Sequence, residues 1–253
     1  MNADLIEYRV LGPIEIRVGE REVLVSGVRQ HTVLAMLLLA RGQSVPVGRL
    51  VDTVWDHQVP ATAGKQIRNA VSILRRSLRH ADGLITCTTA GYRLPLAGSV
   101  LDAAIFAEHA GRGRDLAQQG RAAEAIREFR AALSTWRGPV LAGLDHMTHH
   151  PQVVELNEQR LAVLEECVDL ELSEGRHRVL ARELPVWLAE YPTHEILACQ
   201  LMVALSRSGA KARALAIYEQ TRRTLKRELG VGPGAEMREL RRQIITENAP
   251  DAE

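Results

Sequence analysis

The chain has 253 residues, 46% of them hydrophobic and 25% charged, with a formal net charge of +1. This is the composition of a folded globular protein, and the length suits two domains that each bury a core without metal or disulfide staples. The longest apolar run, Val33 to Ala40, is too short to span a bilayer, and residues 1–20 mix charged and apolar residues in a way no secretory leader does.

From the N-terminus, Ile6, Tyr8 and Val10 alternate with charged residues, as do Ile14, Ile16 and Val18 after the turn at Gly12-Pro13; Val23 and Val25 follow Gly19-Glu20. A period of two predicts a small antiparallel sheet with one wet face. Crowded apolar positions from Val28 to Ala40 predict a buried helix. Leu50, Val51 and Val54 predict a short one over 47–55, and Pro60 closes a loop running from Asp56 to Ala61.

The segment ATAGKQIRNAVSILRRSLRH, residues 61–80, carries the strongest pattern. Ile67, Val71, Leu74 and Leu78 make one apolar helical stripe, with Thr62 as its N-cap. Lys65, Arg68, Ser72, Arg75 and Arg79 make an opposed stripe, and residues 65–79 hold five basic residues and no acid. Such a face is compatible with plain solvation, with a membrane surface or an acidic partner, or with nucleic-acid phosphates. A hairpin is predicted from Leu84 to Leu94, turning near Thr89-Ala90-Gly91. A short helix, a turn, a basic helix and a hairpin, in that order, form a winged helix-turn-helix, which sets its second helix in the major groove.

The domain boundary is placed at Ala97-Gly98-Ser99, giving domains 1–97 and 98–253. The first holds 12 Lys+Arg against 8 Asp+Glu and the second 20 against 23. The second half reads as helices alone: Ala122 to Trp136, Leu161 to Leu172, Leu180 to Leu188 with Pro185 kinking or shortening it, Leu197 to Leu205, Leu215 to Leu229 and Met237 to Ile244. Gly175 and Gly209 open helices 34 residues apart, and Leu180/Ala214 and Leu184/Tyr218 repeat at that offset, the tetratricopeptide period. The fold class expected is therefore an α+β N-terminal winged helix-turn-helix followed by an all-α tetratricopeptide-like helical domain.

These stretches also resemble a known family. "YRVLGPIEI", "RQHTVLAMLLLARGQSVPVGRLVDTVW", "IRNAVSILRRSLR" and "AGYRL" are similar to the strands, first helices, recognition helix and wing of OmpR-type winged helices. "LSTWRGPVLAGL" and "YEQTRRTLKRELGVGPGAEMRELRRQI" are similar to two stretches of the bacterial transcriptional activation domain. End to end, the chain resembles the Streptomyces antibiotic regulatory protein family, activators of secondary-metabolite gene clusters. The resemblance implies DNA contacts from Lys65, Gln66, Asn69, Ser72, Ile73 and Arg75, phosphate contacts from Arg76 and Arg79, and Thr88 and Thr89 in the wing at the minor groove; Arg68 joins them from the basic stripe. It further implies double-stranded promoter DNA, the sigma-factor region of RNA polymerase holoenzyme and a second copy on a direct repeat as partners, with no cofactor and a cytoplasmic location. Three cysteines, Cys87, Cys167 and Cys199, odd in number and far apart, fit that reducing compartment.

Two positions depart from the pattern. Ile73 stands where the family often has arginine and can touch a thymine methyl but not a guanine edge. Thr88 stands where wings often carry a basic residue. Both favour the other reading, a helical-repeat interaction adaptor with a degenerate winged helix. Longer relatives carry an ATPase module after the activation domain, so the chain is read as either a small free-standing member or a piece of a longer one.

Enzyme signals are weak. Asp145-His146-Met147-Thr148-His149-His150 puts three histidines in one loop, which suits adventitious metal better than a converging ligand set. Gly230 to Gly234 reads as an interhelix turn, and Gly64-Lys65 lacks the rest of a phosphate-binding loop. No catalytic or metal-binding residue is expected.

Overall fold

The structure, a computed structural model, describes residues 5–55, 58–78 and 85–246. It divides into two compact units, Met1–Arg112 with Arg130–Leu161, and Gly113–Phe129 with Ala162–Glu253.

The first unit opens with β1 (Ile6–Arg9), β2 (Glu15–Val18) and β3 (Arg21–Glu22). β1 and β2 pair antiparallel with Ile6 opposite Val18 and Tyr8 opposite Ile16, so the four buried side chains share one face. The third strand is shorter than its alternation predicts. Val23 still donates to the Ile16 carbonyl at 2.8 Å, but Leu24 is 79% exposed and the chain leaves the ladder. The sheet is completed by β6 (Ser99–Leu101), which lies parallel to β1 in the order β3-β2-β1-β6. Three residues offer too little alternation to announce a strand, and the sequence reading places a boundary there instead.

α1 (Val28–Leu39) is buried continuously from Thr32 onward. It packs against α2 (Val47–Val54) and α3 (Ala63–Ser77). The wing is β4 (Thr86–Thr88) with β5 (Gly91–Arg93), joined at Thr89-Ala90. Val45 bridges to β5 as well: its N–H donates to the Tyr92 carbonyl at 2.7 Å and its carbonyl accepts from the Tyr92 N–H at 3.0 Å.

Residues beyond the wing complete this unit. α4 (Asp102–Gln118) begins directly after β6, and the buried Asp102 carboxylate accepts from the N–H groups of Val10, Leu11 and Ala103 at 2.8–2.9 Å. Arg137, past α5 (Ala122–Ser134), donates its N–H to the Leu11 carbonyl at 2.7 Å and its guanidinium to Glu15 Oε1 at 2.6 Å. At the start of α6 (Pro151–Ser173), Gln152 donates to the Leu39 carbonyl, which α1 leaves unpaired at its end.

Tyr8 is fully buried and its hydroxyl has no hydrogen-bond partner among the described residues; burial pushes its pKa up to about 12. The folded state holds the phenol neutral while an unfolded chain ionises near pH 10. Stability from this group is therefore whole below pH 10 and declines as pH rises toward 12, by about 2–3 kcal/mol at the limit. Tyr8→Phe should flatten that decline in denaturant titrations at pH 9–12. At pH 7 it should leave the chain as stable or about 1 kcal/mol more so, because an unpaired buried hydroxyl is removed.

The second unit is helical. After the later part of α6 come α7 (His177–Glu190), α8 (Glu195–Arg207), α9 (Lys211–Glu228) and α10 (Ala235–Thr246). α8 packs against α7, α9 and α10. The residues predicted to repeat at 34 are buried alike: Leu180 with Ala214, and Leu184 with Tyr218. Pro185 neither ends nor shortens α7. It is exposed, so its ring displaces no packed neighbour. α4, whose period was too weak to predict, approaches α5 through Gly113, where a Cβ would sit 2.5 Å from the Phe129 ring.

Candidate nucleic-acid interface

α3 is fixed by its apolar stripe. Ile67, Val71 and Leu74 are buried, as is Leu78 at its end, all four as predicted. On the opposite side Lys65, Arg68, Asn69, Ser72 and Arg76 are exposed. The helix contains no acidic residue, so this ridge presents cations with short polar side chains between them. Arg75 and Arg76 in the last turn also complement the partial negative charge of the helix C-terminus.

The remaining candidates sit differently. Thr62 stands at the N-cap position, but its hydroxyl caps no backbone N–H. It accepts instead from the Gln66 side-chain amide at 2.9 Å, a donor one turn later that competes for the same oxygen, so Gln66 is tied back and half-exposed. Ile73 is half-buried at the margin of the ridge. Arg75 is half-buried, and its Nε donates to the Ile85 carbonyl at 2.7 Å. Thr88 is half-buried inside the wing turn, whereas Thr89 at the tip is exposed. Arg79, Leu84 and the Asp56 end of the preceding loop lie outside the described residues.

Sequence reasoning missed the parts that hold this surface in place. Gly91 has φ +136, and a Cβ there would lie 2.0 Å from the Val45 carbonyl oxygen. Ser44 Oγ lies 3.1 Å from Thr88 Oγ1. Gly91 had a signal, a glycine at a predicted hairpin turn; Ser44 and Val45 had none.

Residues 21–94, which hold α1–α3 and the wing, match the family described as Transcriptional regulatory protein, C terminal. Residues 101–245, more than half of the chain, match the family described as Bacterial transcriptional activator domain. Regulatory protein DnrI of Streptomyces peucetius is 33% identical over 251 residues, covering 95% of this chain and 92% of DnrI. The chain belongs to the Streptomyces antibiotic regulatory protein family.

Regulatory protein AfsR of Streptomyces coelicolor is 35% identical over 241 residues, which are 95% of this chain but 24% of AfsR, so the chain spans about a quarter of that relative. Among solved structures, Mycobacterium tuberculosis EmbR, in complex with a low-affinity phosphopeptide, superposes with a TM-score of 0.86 at 30% identity, covering 98% of this chain and 67% of the EmbR chain. The family comprises transcription regulators, and its OmpR-type domain binds DNA. A winged helix region followed by an all-helical domain is accordingly the fold of this chain. Within the histidine loop, His146 Nε2 lies 3.1 Å from Thr32 Oγ1. Among the described residues no three metal-ligating side chains converge, and no helix is long and apolar enough to cross a membrane.

Proposed function

We propose that the chain is a cytoplasmic activator of a secondary-metabolite (antibiotic) gene cluster. It binds direct-repeat promoter sites as two copies and recruits RNA polymerase holoenzyme through the sigma-factor region. Residues 1–97 supply the DNA-binding function and residues 98–253 the contacts between proteins. The observation that carries the reading is the acid-free ridge of Lys65, Arg68, Asn69, Ser72 and Arg76 on a helix whose other side is anchored in the core. An exposed helix of ordinary solubility mixes both signs of charge; one that lies in a major groove needs cations for phosphates and short polar groups for base edges. Supporting it are the matched families and the relatedness to DnrI along nearly its whole length.

Gel shifts with the DNA upstream of the neighbouring gene cluster test the first step. Arg68→Ala should weaken binding about ten- to hundredfold, the worth of one good base or phosphate contact. Affinity of the wild-type chain should fall steeply with added salt as counterions return to the duplex. Run-off transcription with purified holoenzyme tests the second step: a bound promoter whose transcript does not rise would leave a DNA-binding protein that is no activator. A chain that shifts no duplex would favour the adaptor.

A further inference from the structure

We infer that Arg75 and Thr88 are positioning residues that hold the wing at a set angle to α3, and are not themselves DNA ligands. The inference rests on the DNA-binding reading of the ridge.

Arg75 differs from the exposed Arg68 and Arg76 beside it. Its side chain is half-buried, and its Nε–H is given to the Ile85 carbonyl at 2.7 Å, immediately before β4 begins. Ile85 is itself buried, so this charge-assisted bond joins the last turn of the helix to the base of the wing. An arginine whose Nε donor faces inward cannot turn the same edge of its fork to a phosphate without letting the wing go.

Thr88 does the corresponding work at the other end. Its hydroxyl accepts from the Ala90 N–H at 3.2 Å, donates to the Gly91 carbonyl at 3.2 Å and lies 3.1 Å from Ser44 Oγ. A hydroxyl has one proton and two lone pairs. With Ser44 as donor all three are occupied, and nothing remains for a phosphate. Between the two fastenings, Val45 and Tyr92 exchange backbone hydrogen bonds. The wing is thus tied to α3 at its base and to the segment before α2 along its length. This gives a physical reason for the departure at Thr88: a lysine there would gain a phosphate partner and lose the turn.

The test uses the full chain and a duplex that the wild-type protein selects from a randomised pool. Hydrogen exchange is measured on the free proteins, and affinity is measured across a series of salt concentrations. In Arg75→Ala, the amides of residues 87–92 should exchange at least about tenfold faster while those of α1 keep their rates. Affinity should fall about tenfold with the slope of log K on log salt unchanged, whereas Arg68→Ala should lower that slope by about 1. Trimming the duplex until no DNA lies under the wing should erase the difference between Arg75→Ala and wild type, a result that general destabilisation would not produce. A slope lowered by about 1 with wing exchange unaltered would make Arg75 a phosphate ligand and overturn the inference. If Arg75→Ala also loosens α1, Thr88→Val decides by the same two readings, with fast wing exchange at constant slope supporting the inference and slow exchange refuting it. A wild-type chain that selects no duplex would sink the DNA-binding reading, while the exchange measurement still shows separately whether the two side chains fasten the wing.

Discussion

The full chain carrying Asp102→Ala is expected to lose about 3–5 kcal/mol of stability, a large share of what a domain of this kind has. Val10 and Leu11 are fully buried, and both of their N–H groups are given to the Asp102 carboxylate at 2.9 Å. Alanine strips the acceptor from both at once. Burial pushes the Asp102 carboxyl above its ordinary pKa, against the pull of the three amides and of Arg137, whose Nη2 lies 3.6 Å away. Asp102→Asn should recover part of the loss, since one oxygen still accepts while the new amide turns a donor toward donors. The same reasoning bears on any excision of the DNA-binding half at residue 97. Such a fragment lacks β6 and Asp102, so it opens the edge of β1 and leaves the Val10 and Leu11 N–H groups unsatisfied. It should fail to fold, whereas a fragment running through Leu161 keeps every one of those partners. Denaturant midpoints and gel shifts on the point variant and the two fragments check this. A midpoint change worth less than about 1 kcal/mol for Asp102→Ala would refute it.

The contrast between what the residues announced and what they concealed follows from the range of the interactions. The apolar stripe Ile67-Val71-Leu74-Leu78 repeats within one helix, so its burial could be read directly, and with it the side of α3 left for a partner. The paired burial of Leu180 with Ala214 was likewise visible as a period. The contacts that complete the sheet were not. β6 is three residues long, and it is a strand because β1 lies beside it; Asp102 reads as an ordinary acidic helix start until two amides ninety residues away appear over it. Thr62 shows the limit of local rules: the right residue type stood at the right place, and a glutamine one turn on took its oxygen. At the candidate interface the residue types could be listed, but not which of them were engaged. Arg68 and Arg75 are alike in sequence, and only a bond to the Ile85 carbonyl, ten residues later, separates them.

Gly91→Ala is expected to detach the wing while leaving the helical core of the DNA-binding unit folded. The backbone there has φ +136, which costs an L-residue about 1–3 kcal/mol. The added Cβ would also meet the Val45 carbonyl oxygen at 2.0 Å and the Pro46 Cα at 2.8 Å, both backbone atoms with no side-chain freedom to yield. Because that carbonyl accepts from the Tyr92 N–H at 3.0 Å, the clash falls on the rung that ties the wing to the segment before α2. Relief therefore means parting Val45 from Tyr92, and the Ser44–Thr88 pair with them. The expected signature is fast exchange of the wing amides with α1 and α3 still protected. Duplex affinity should fall at least about tenfold, with an unchanged salt dependence if the wing positions and the ridge supplies the charge. Two other glycines set the scale. Gly42→Ala has the same kind of backbone at φ +80 but its nearest neighbour is 3.9 Å away, so it carries conformational strain alone. Gly48→Ala lies within α2 with nothing inside 4 Å and should stabilise the chain by up to about 1 kcal/mol. If Gly91→Ala behaved like Gly42→Ala in both exchange and affinity, steric contact between wing and core would not be what sets the wing's place, and the orientation of this surface would have to come from α3 alone.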